Sequence, residues 1–206
     1  MAHFGIWQDE TMQTPLSVVQ LSRDLTDANS PKKGRFWFGA KEIYLMLQTK
    51  VNAGVDNVTL SPTFALSTIQ RSTEYVLSNC NDYALNGYIY RLTTAGTTAA
   101  NAPTYSTNLG DTITDGTAVF VCVSKAHSIN EIKLSLTGQS GLSTAQAGAA
   151  VSLGNTVNGG GGVEIWYQVT DSVDNVFNMT CAQLCIAINE CEEKQKPQQQ
   201  QQQPQN

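Results

Sequence analysis

Short runs along the chain alternate apolar and polar residues, and no segment repeats convincingly at a helical period. "RFWFG" (35–39) reads as a strand ended by Gly39, and "VDNVTLSPT" places Val58 and Leu60 on one face before Pro62 closes it. "NGYIYRLTT" sets Tyr88, Tyr90 and Leu92 against Ile89, Arg91 and Thr93, and "DGTAVFVCVSK" sets Val119, Val121 and Val123 against Phe120 and Cys122. "NEIKLSLTG" (130–138) puts Ile132, Leu134 and Leu136 on one face. "VEIWYQVTDS" (163–172) alternates Val163, Ile165, Tyr167 and Val169 against Glu164, Trp166 and Gln168. "TCAQLCIAINECEE" (180–193) turns Ala182, Leu184, Ile186 and Ile188 inward. Three runs are less decided. "PLSVVQLSRDL" (15–25) lies between strand and short helix, "EIYLMLQTKV" (42–51) is buried without a clear period, and "GLSTAQAGAAVSLG" is a loop or weak strand. Strands separated by turn signals, without a long amphipathic helix, predict a mainly β, sandwich-like fold.

The stretch 93–123 has no Lys or Arg and only two acids, Asp111 and Asp115. It lies between two runs with opposed faces and contains Pro103, Gly110 and the "TDGT" turn (114–117). A compact small sheet is the better reading than a linker. Residues 1–15 carry Phe4, Ile6 and Trp7 among polar neighbours without periodicity, which predicts an arm with those three as candidate partner contacts. Beyond Lys196, "PQQQQQQPQN" cannot bury a core and is expected to be disordered.

Composition narrows the function. Of 206 residues, 41% are apolar but only 14% are charged, and the net charge is −5. That balance argues against nucleic-acid binding, which needs a basic footprint; the one basic cluster, "PKKGR" (31–35), reads as a solvated turn. No apolar run is long enough to span a membrane, and "MAHFGIWQDE" lacks the plan of a signal peptide, so folding in the cytosol is expected.

The sequence offers little for catalysis. His3 and His127 are the only histidines; no nucleophile motif flanks either, and His127 reads as a surface hinge residue. "GGGG" (159–162) lacks the Lys-Ser/Thr of a phosphate loop and reads as a flexible connection. Glu190, Glu192 and Glu193 form a solvated strand end rather than a calcium loop. The sequons at Asn57 and Asn178 carry no weight without secretion. No catalytic residue, cofactor or metal ligand is assigned.

Five cysteines fit no common zinc spacing. On an extended strand, Cys181 and Cys185 would lie roughly 13 Å apart, beyond the roughly 7 Å limit for a disulfide. Buried free thiols are the default; the alternatives are a Cys80–Cys122 bridge or a link between subunits made after release from the cytosol. Among the aromatic residues, Tyr88, Tyr90 and Tyr105 are the candidate glycan-stacking set, against core or cross-strand packing.

"NGYIYRLTTAGTTAANAPTYSTNLGDTITDGTAVFVCV" resembles a small β-module that recurs in tailed-bacteriophage virion proteins. "AGVDNVTLSP" (53–62), "NEIKLSLTGQSGLSTAQAGAAVSLG" (130–154) and "VEIWYQVTDS" resemble a second phage structural module. In relatives of the second module these parts run on with little between them. The resemblance therefore implies an immunoglobulin-like or related β-sandwich (36–69 and 127–193) split by an inserted module (70–126), with an arm (1–35) and a Gln-rich tail (194–206). Relatives of the insert often pair a Cys at the position of Leu92 with the Cys matching Cys122, and carry Trp where Tyr105 and Phe120 stand, so neither their cross-link nor a sugar platform carries over directly. The resemblance implies a non-enzymatic component of a tailed-phage virion, made in the host cytoplasm. The role expected is a homo-oligomeric capsid decoration or cement protein contacting the major capsid protein. The alternatives are a neck or tail fibre adaptor, or a host-surface glycan-binding module.

Overall fold

The computed structural model describes residues 3–17, 30–171 and 181–197. The expectations for residues 18–25, the Asn178 sequon and the tail from 198 lie outside them. The fold is mainly β, of the sandwich type. A first segment supplies β1 (Gly5–Trp7), β2 (Lys32–Ala40), β3 (Leu45–Thr49) and β4 (Thr59–Phe64). The inserted segment supplies β5 (Glu74–Tyr75), β6 (Asp82–Leu85), β7 (Tyr88–Thr94), β8 (Gly96–Thr97), β9 (Thr112–Asp115) and β10 (Ala118–Lys125). The chain then returns with β11 (Ile132–Ser135), β12 (Val151–Ser152), β13 (Val157–Asn158), β14 (Gly161–Val169), β15 (Leu184–Ile188) and β16 (Cys191–Gln195).

One layer of the host is the antiparallel sheet β1–β2–β14–β11. The other consists of two short ladders, β12–β4–β15 and β13–β3–β16. The ladders lie end to end. Residues 184–195 run antiparallel along 64–45 on one side, and 151–158 run along 60–46 on the other. The 50–58 loop stands out between the ladders, pinned by Lys50 N–H donating to the Glu190 carbonyl (2.9 Å) and Val58 N–H to that of Gly154 (2.8 Å). Alternating residues face inward from both layers, so Phe36, Phe38, Ile132, Leu134 and Ile165 meet Leu47, Val58, Leu60 and Val157 in one core.

The layers are joined without losing backbone pairing. The β2–β14 ladder ends at Ala40 opposite Gly161, and β3–β13 pairing resumes at Met46 opposite Asn158. Between them Gly160 N–H donates to Ala40 O (2.8 Å) and Gly159 N–H to Leu45 O (2.9 Å). A side chain at Gly39 would strike the Gly161 carbonyl, one at Gly159 would strike the Glu42 carbonyl, and Gly160 has a positive φ. The glycine run is thus a tightly paired corner rather than the flexible connection expected.

The arm also needs correcting. β1 pairs with β2 in the register Gly5–Gly39, Ile6–Phe38 and Trp7–Trp37. The chain then turns back, so that Leu16 N–H donates to Ile6 O at 2.9 Å. Phe4, Ile6 and Leu16 pack on the host core, and the Phe4 and Phe38 rings lie 6.2 Å apart. Residues expected to wait for a partner are partly covered by their own domain, which is worth a fraction of the roughly 1.5–3 kcal/mol that full burial of such a side chain brings. Other boundaries move as well. β2 begins at Lys32, inside the expected arm, and β16 reaches Gln195, inside the expected tail. Leu136, expected inward, follows the end of β11 and is exposed, as are Ala182 and Ile188 of the 180–193 run.

The insert has its own sheet, β6–β7–β10–β9, beside the small pair β5–β8. Asn86 and Gly87, both with positive φ, make the two-residue turn between β6 and β7. One face carries the insert core of Tyr90, Leu92, Ile113, Phe120 and Cys122 with Ile69 and Tyr75. The opposite face packs Ala84, Ile89 and Val123 against Leu66, Phe64 and Cys181, where the insert meets the host.

Two glycine substitutions test the corner. Gly39→Ala should cost roughly 1–3 kcal/mol in chemical denaturation, because backbone atoms must move to admit the methyl group. Gly161→Ala, where nothing lies within 4 Å of the added carbon, should be close to neutral.

Candidate functional site

Three places concentrate chemically distinctive side chains. The first is the outward face of β1–β2–β14–β11. With Phe36, Phe38 and Ile165 turned into the core, strand alternation turns Arg35, Trp37, Glu164 and Trp166 to the other side. Trp7 and Glu164 flank Trp37 in register, and Trp166 stands opposite Arg35. All three tryptophans of the chain therefore share this face. The Arg35 guanidinium lies 5.0 Å from the Trp37 ring centre and 5.5 Å from that of Trp166. It also pairs with Glu164 Oε1 at 2.7 Å. Lys41 Nζ lies 5.4 Å from the Trp7 ring centre. Trp37 is itself buried beneath this face while the Arg35 and Lys41 heads stay in water, and cation–π contacts to such exposed cations contribute about 0.5–1 kcal/mol each. Trp7 Nε1 donates to Gly39 O at 2.9 Å, which holds its ring against the sheet. Of the predicted partner contacts, Phe4 and Ile6 are core residues, and Trp7 alone belongs to an outward face.

The second place is the interior of the insert, where the candidate glycan platform dissolves. Tyr90 is fully buried, with Oη donating to Ser106 O at 3.1 Å. The Tyr105 ring packs edge-on against it at 4.9 Å. Tyr88 is half-buried against the same core. These rings share a side, but that side is the interior: they cover the apolar core of a module too small to spare them. Burial pushes the Tyr90 phenol up to about 12 and raises Tyr105 further above the ordinary value.

Tyr105 Oη donates to the buried Asp115 carboxylate at 2.6 Å. Ala99 N–H donates to the other oxygen at 2.8 Å, and Arg71 Nη1 lies 2.6 Å from Oδ2. Burial alone would raise the Asp115 pKa. The bonds from Tyr105, Ala99 and Arg71 more than offset it and hold the carboxyl below its ordinary 3.8. A second buried carboxylate, Asp82, takes a two-pronged contact from Arg91 at 2.7 and 3.2 Å. Neither pair was singled out from the sequence, although Asp115 lies in the predicted 114–117 turn; the strand that begins at Asp82 was not predicted.

The third place is the joint between the modules. Cys80 is bonded to Cys181, with Cα atoms 5.4 Å apart. This overturns the default of free thiols for these two cysteines and also the alternative Cys80–Cys122 bridge, because Cys122 points into the insert core and is fully buried, whereas Cys80 precedes β6 outside that core. Cys122, Cys185 and Cys191 are free thiols, Cys185 exposed. Nearby, His127 N–H donates to Gln183 Oε1 at 2.9 Å, and His127 Nδ1 lies 2.7 Å from the buried Glu131 carboxylate. The histidine read as a surface hinge is a largely buried structural contact, its side chain 17% exposed.

Two variants probe the insert and the joint. Asp115→Asn should destabilise the insert by roughly 3 kcal/mol, the lower end of the range for a broken buried pair because Arg71 reaches solvent. Asp115 has a folded pKa below the unfolded value near 3.8, so its stabilisation is full above about pH 4 and is lost as pH falls through the folded value. Acid titration followed by tyrosine near-UV dichroism should show that decline in the native chain and a flatter one in the variant. Cys80→Ser should lower stability by about 2–4 kcal/mol under non-reducing conditions. Peptide mapping of the native chain should recover Cys80 joined to Cys181.

No protein-family model, curated protein or solved structure matches this chain, so what these three places can do rests on their geometry.

Proposed function

We propose that this protein is a non-enzymatic structural component of a tailed-phage virion, acting as a capsid decoration protein. The observation that carries this reading is the tie between its two β-modules. A disulfide spans 101 residues of sequence to lock an inserted module onto its host sandwich. Such bonds persist in oxidising surroundings, virion surfaces among them, and are rare in proteins that stay in the cytosol. A chain folded in the host cytoplasm would close this bond after release, when a particle must survive outside the cell. The module pattern described from the sequence supports the same reading.

Decoration works through contacts repeated by the symmetry of the shell, so individually weak contacts hold by number. The tryptophan–arginine face is the surface suited to the major capsid protein: aromatic and arginine side chains are the ones interface cores favour.

Quantitative mass spectrometry of purified particles tests the role. A decoration protein should appear in copies comparable to the major capsid protein. A single ring's worth of copies would assign the chain to the neck or tail instead, and its absence from the particle would remove the structural reading.

A further inference from the structure

We propose that the glycine corner carries a binding site for a neutral saccharide, in an open cleft of about 540 Å³ between the turn at 10–13 and the backbone of Gly160–Gly162. The inference does not depend on the particle assignment and uses none of the tyrosines of the insert.

The cleft is built before any ligand arrives. Asp9 orders its outer wall: one carboxylate oxygen accepts from the Thr11 hydroxyl (2.5 Å) and Gln13 N–H (3.2 Å), the other from Thr14 N–H (3.0 Å). These bonds, that of Thr11 first, hold the Asp9 carboxyl down to about 2, so the turn keeps its anchor throughout the neutral range. Met12, within the same turn, is buried and fixes the wall to the domain. An ordered wall spares a ligand the entropy of arranging it.

The floor is bare backbone. An added carbon at Gly162 would lie 3.0 Å from Trp37 Cβ, so the floor is kept free of side chains by the packing of Trp37. Glu10, Thr11, Gln13 and Lys41 line the cleft and are all exposed. Lys41 is held at the rim by its contact over the half-buried Trp7 ring, which lies outside the cleft lining.

The chemistry selects the ligand class. A sugar ring presents hydroxyls that both donate and accept, together with an apolar C–H face. Glu10 accepts, Lys41 donates, and Thr11 and Gln13 do both, while the bare Gly160–Gly162 backbone leaves room for the ring itself. One carboxylate and one ammonium at the rim cancel, so neither a phosphate nor a polyanion is favoured. The volume falls in the range of sites that hold a few sugar units rather than a single ion.

The full chain should be screened on an array of unsubstituted glucose, galactose and N-acetylglucosamine oligomers, with polyglutamate and inorganic phosphate as competitors. The best oligomer is then titrated by tryptophan fluorescence. Binding to at least one neutral oligomer is expected, undiminished by either competitor. Glu10→Ala and Lys41→Ala should each weaken it about tenfold or more, with the melting temperature unchanged for Glu10→Ala and only slightly lowered for Lys41→Ala, which also loses its contact with Trp7. Failure to bind any neutral oligomer, binding displaced by polyglutamate or phosphate, or native affinity in both variants would overturn the proposal.

Discussion

The architecture depends on two paired strands passing from one layer of the host to the other without losing their hydrogen bonds. β2 and β14 leave the first layer, and β3 and β13 enter the second, across a corner where Gly39, Gly159 and Gly160 leave no room for side chains. Unpaired backbone groups at such a bend would carry the cost of burial without a partner. The close approach that avoids this is open only to glycine. Because the ladders continue through the corner, Phe36 and Phe38 on one layer are held at a fixed distance from Leu47 on the other, and the core can close. The same corner supplies the floor of the cleft and the backbone oxygen that holds the Trp7 ring.

The insert solves a different problem. It is small, and its central strands use both faces: Tyr90, Leu92, Phe120 and Cys122 build an inner core, while Ile89 and Val123 press on the host. A module of this size gains from fixed polar anchors, and Asp115 and Asp82 supply two, each neutralised by an arginine. Their net worth is smaller than their short distances suggest, since desolvation opposes the attraction. Their effect is to set where the connections of the insert run, because removing either partner would leave a charge without compensation. The disulfide and the apolar joint then couple this module to the host.

That division separates stability from recognition. The aromatic residues that looked available for ligands in the insert are committed to its core, and Phe4 and Ile6 of the N-terminal segment pack against the host core. What remains in reach of solvent is Arg35 with the half-buried Trp7 and Trp166, over the buried Trp37, and the adjoining cleft. Both lie on the host, at one sheet face and its adjoining corner.

Much of this was legible in the chain. Two-residue alternation located the strands around Phe36, Tyr90, Phe120, Ile132 and Ile165 and sorted most of their residues into two faces, because a strand's side chains alternate whatever it pairs with. It set Trp166 on the face of Glu164, against Ile165. Turn chemistry marked the Thr114–Thr117 reversal, where Gly116 has a positive φ, since that is a local demand. Partnership was not legible. Nothing in "HFGIW" says that β2 will accept it as a neighbour, and nothing around Cys80 distinguishes Cys181 from Cys122, because both depend on residues brought together from distant parts of the chain. "GGGG" illustrates the limit: four glycines read as freedom, yet at Gly159 and Gly160 glycine is required by a crowded corner. Local conformation and the inward side of each strand belong to the sequence alone. Which strands pair, which cysteines meet and which aromatic rings remain in reach of a ligand were decided by tertiary structure, because each is a contest for burial among segments that only folding makes neighbours.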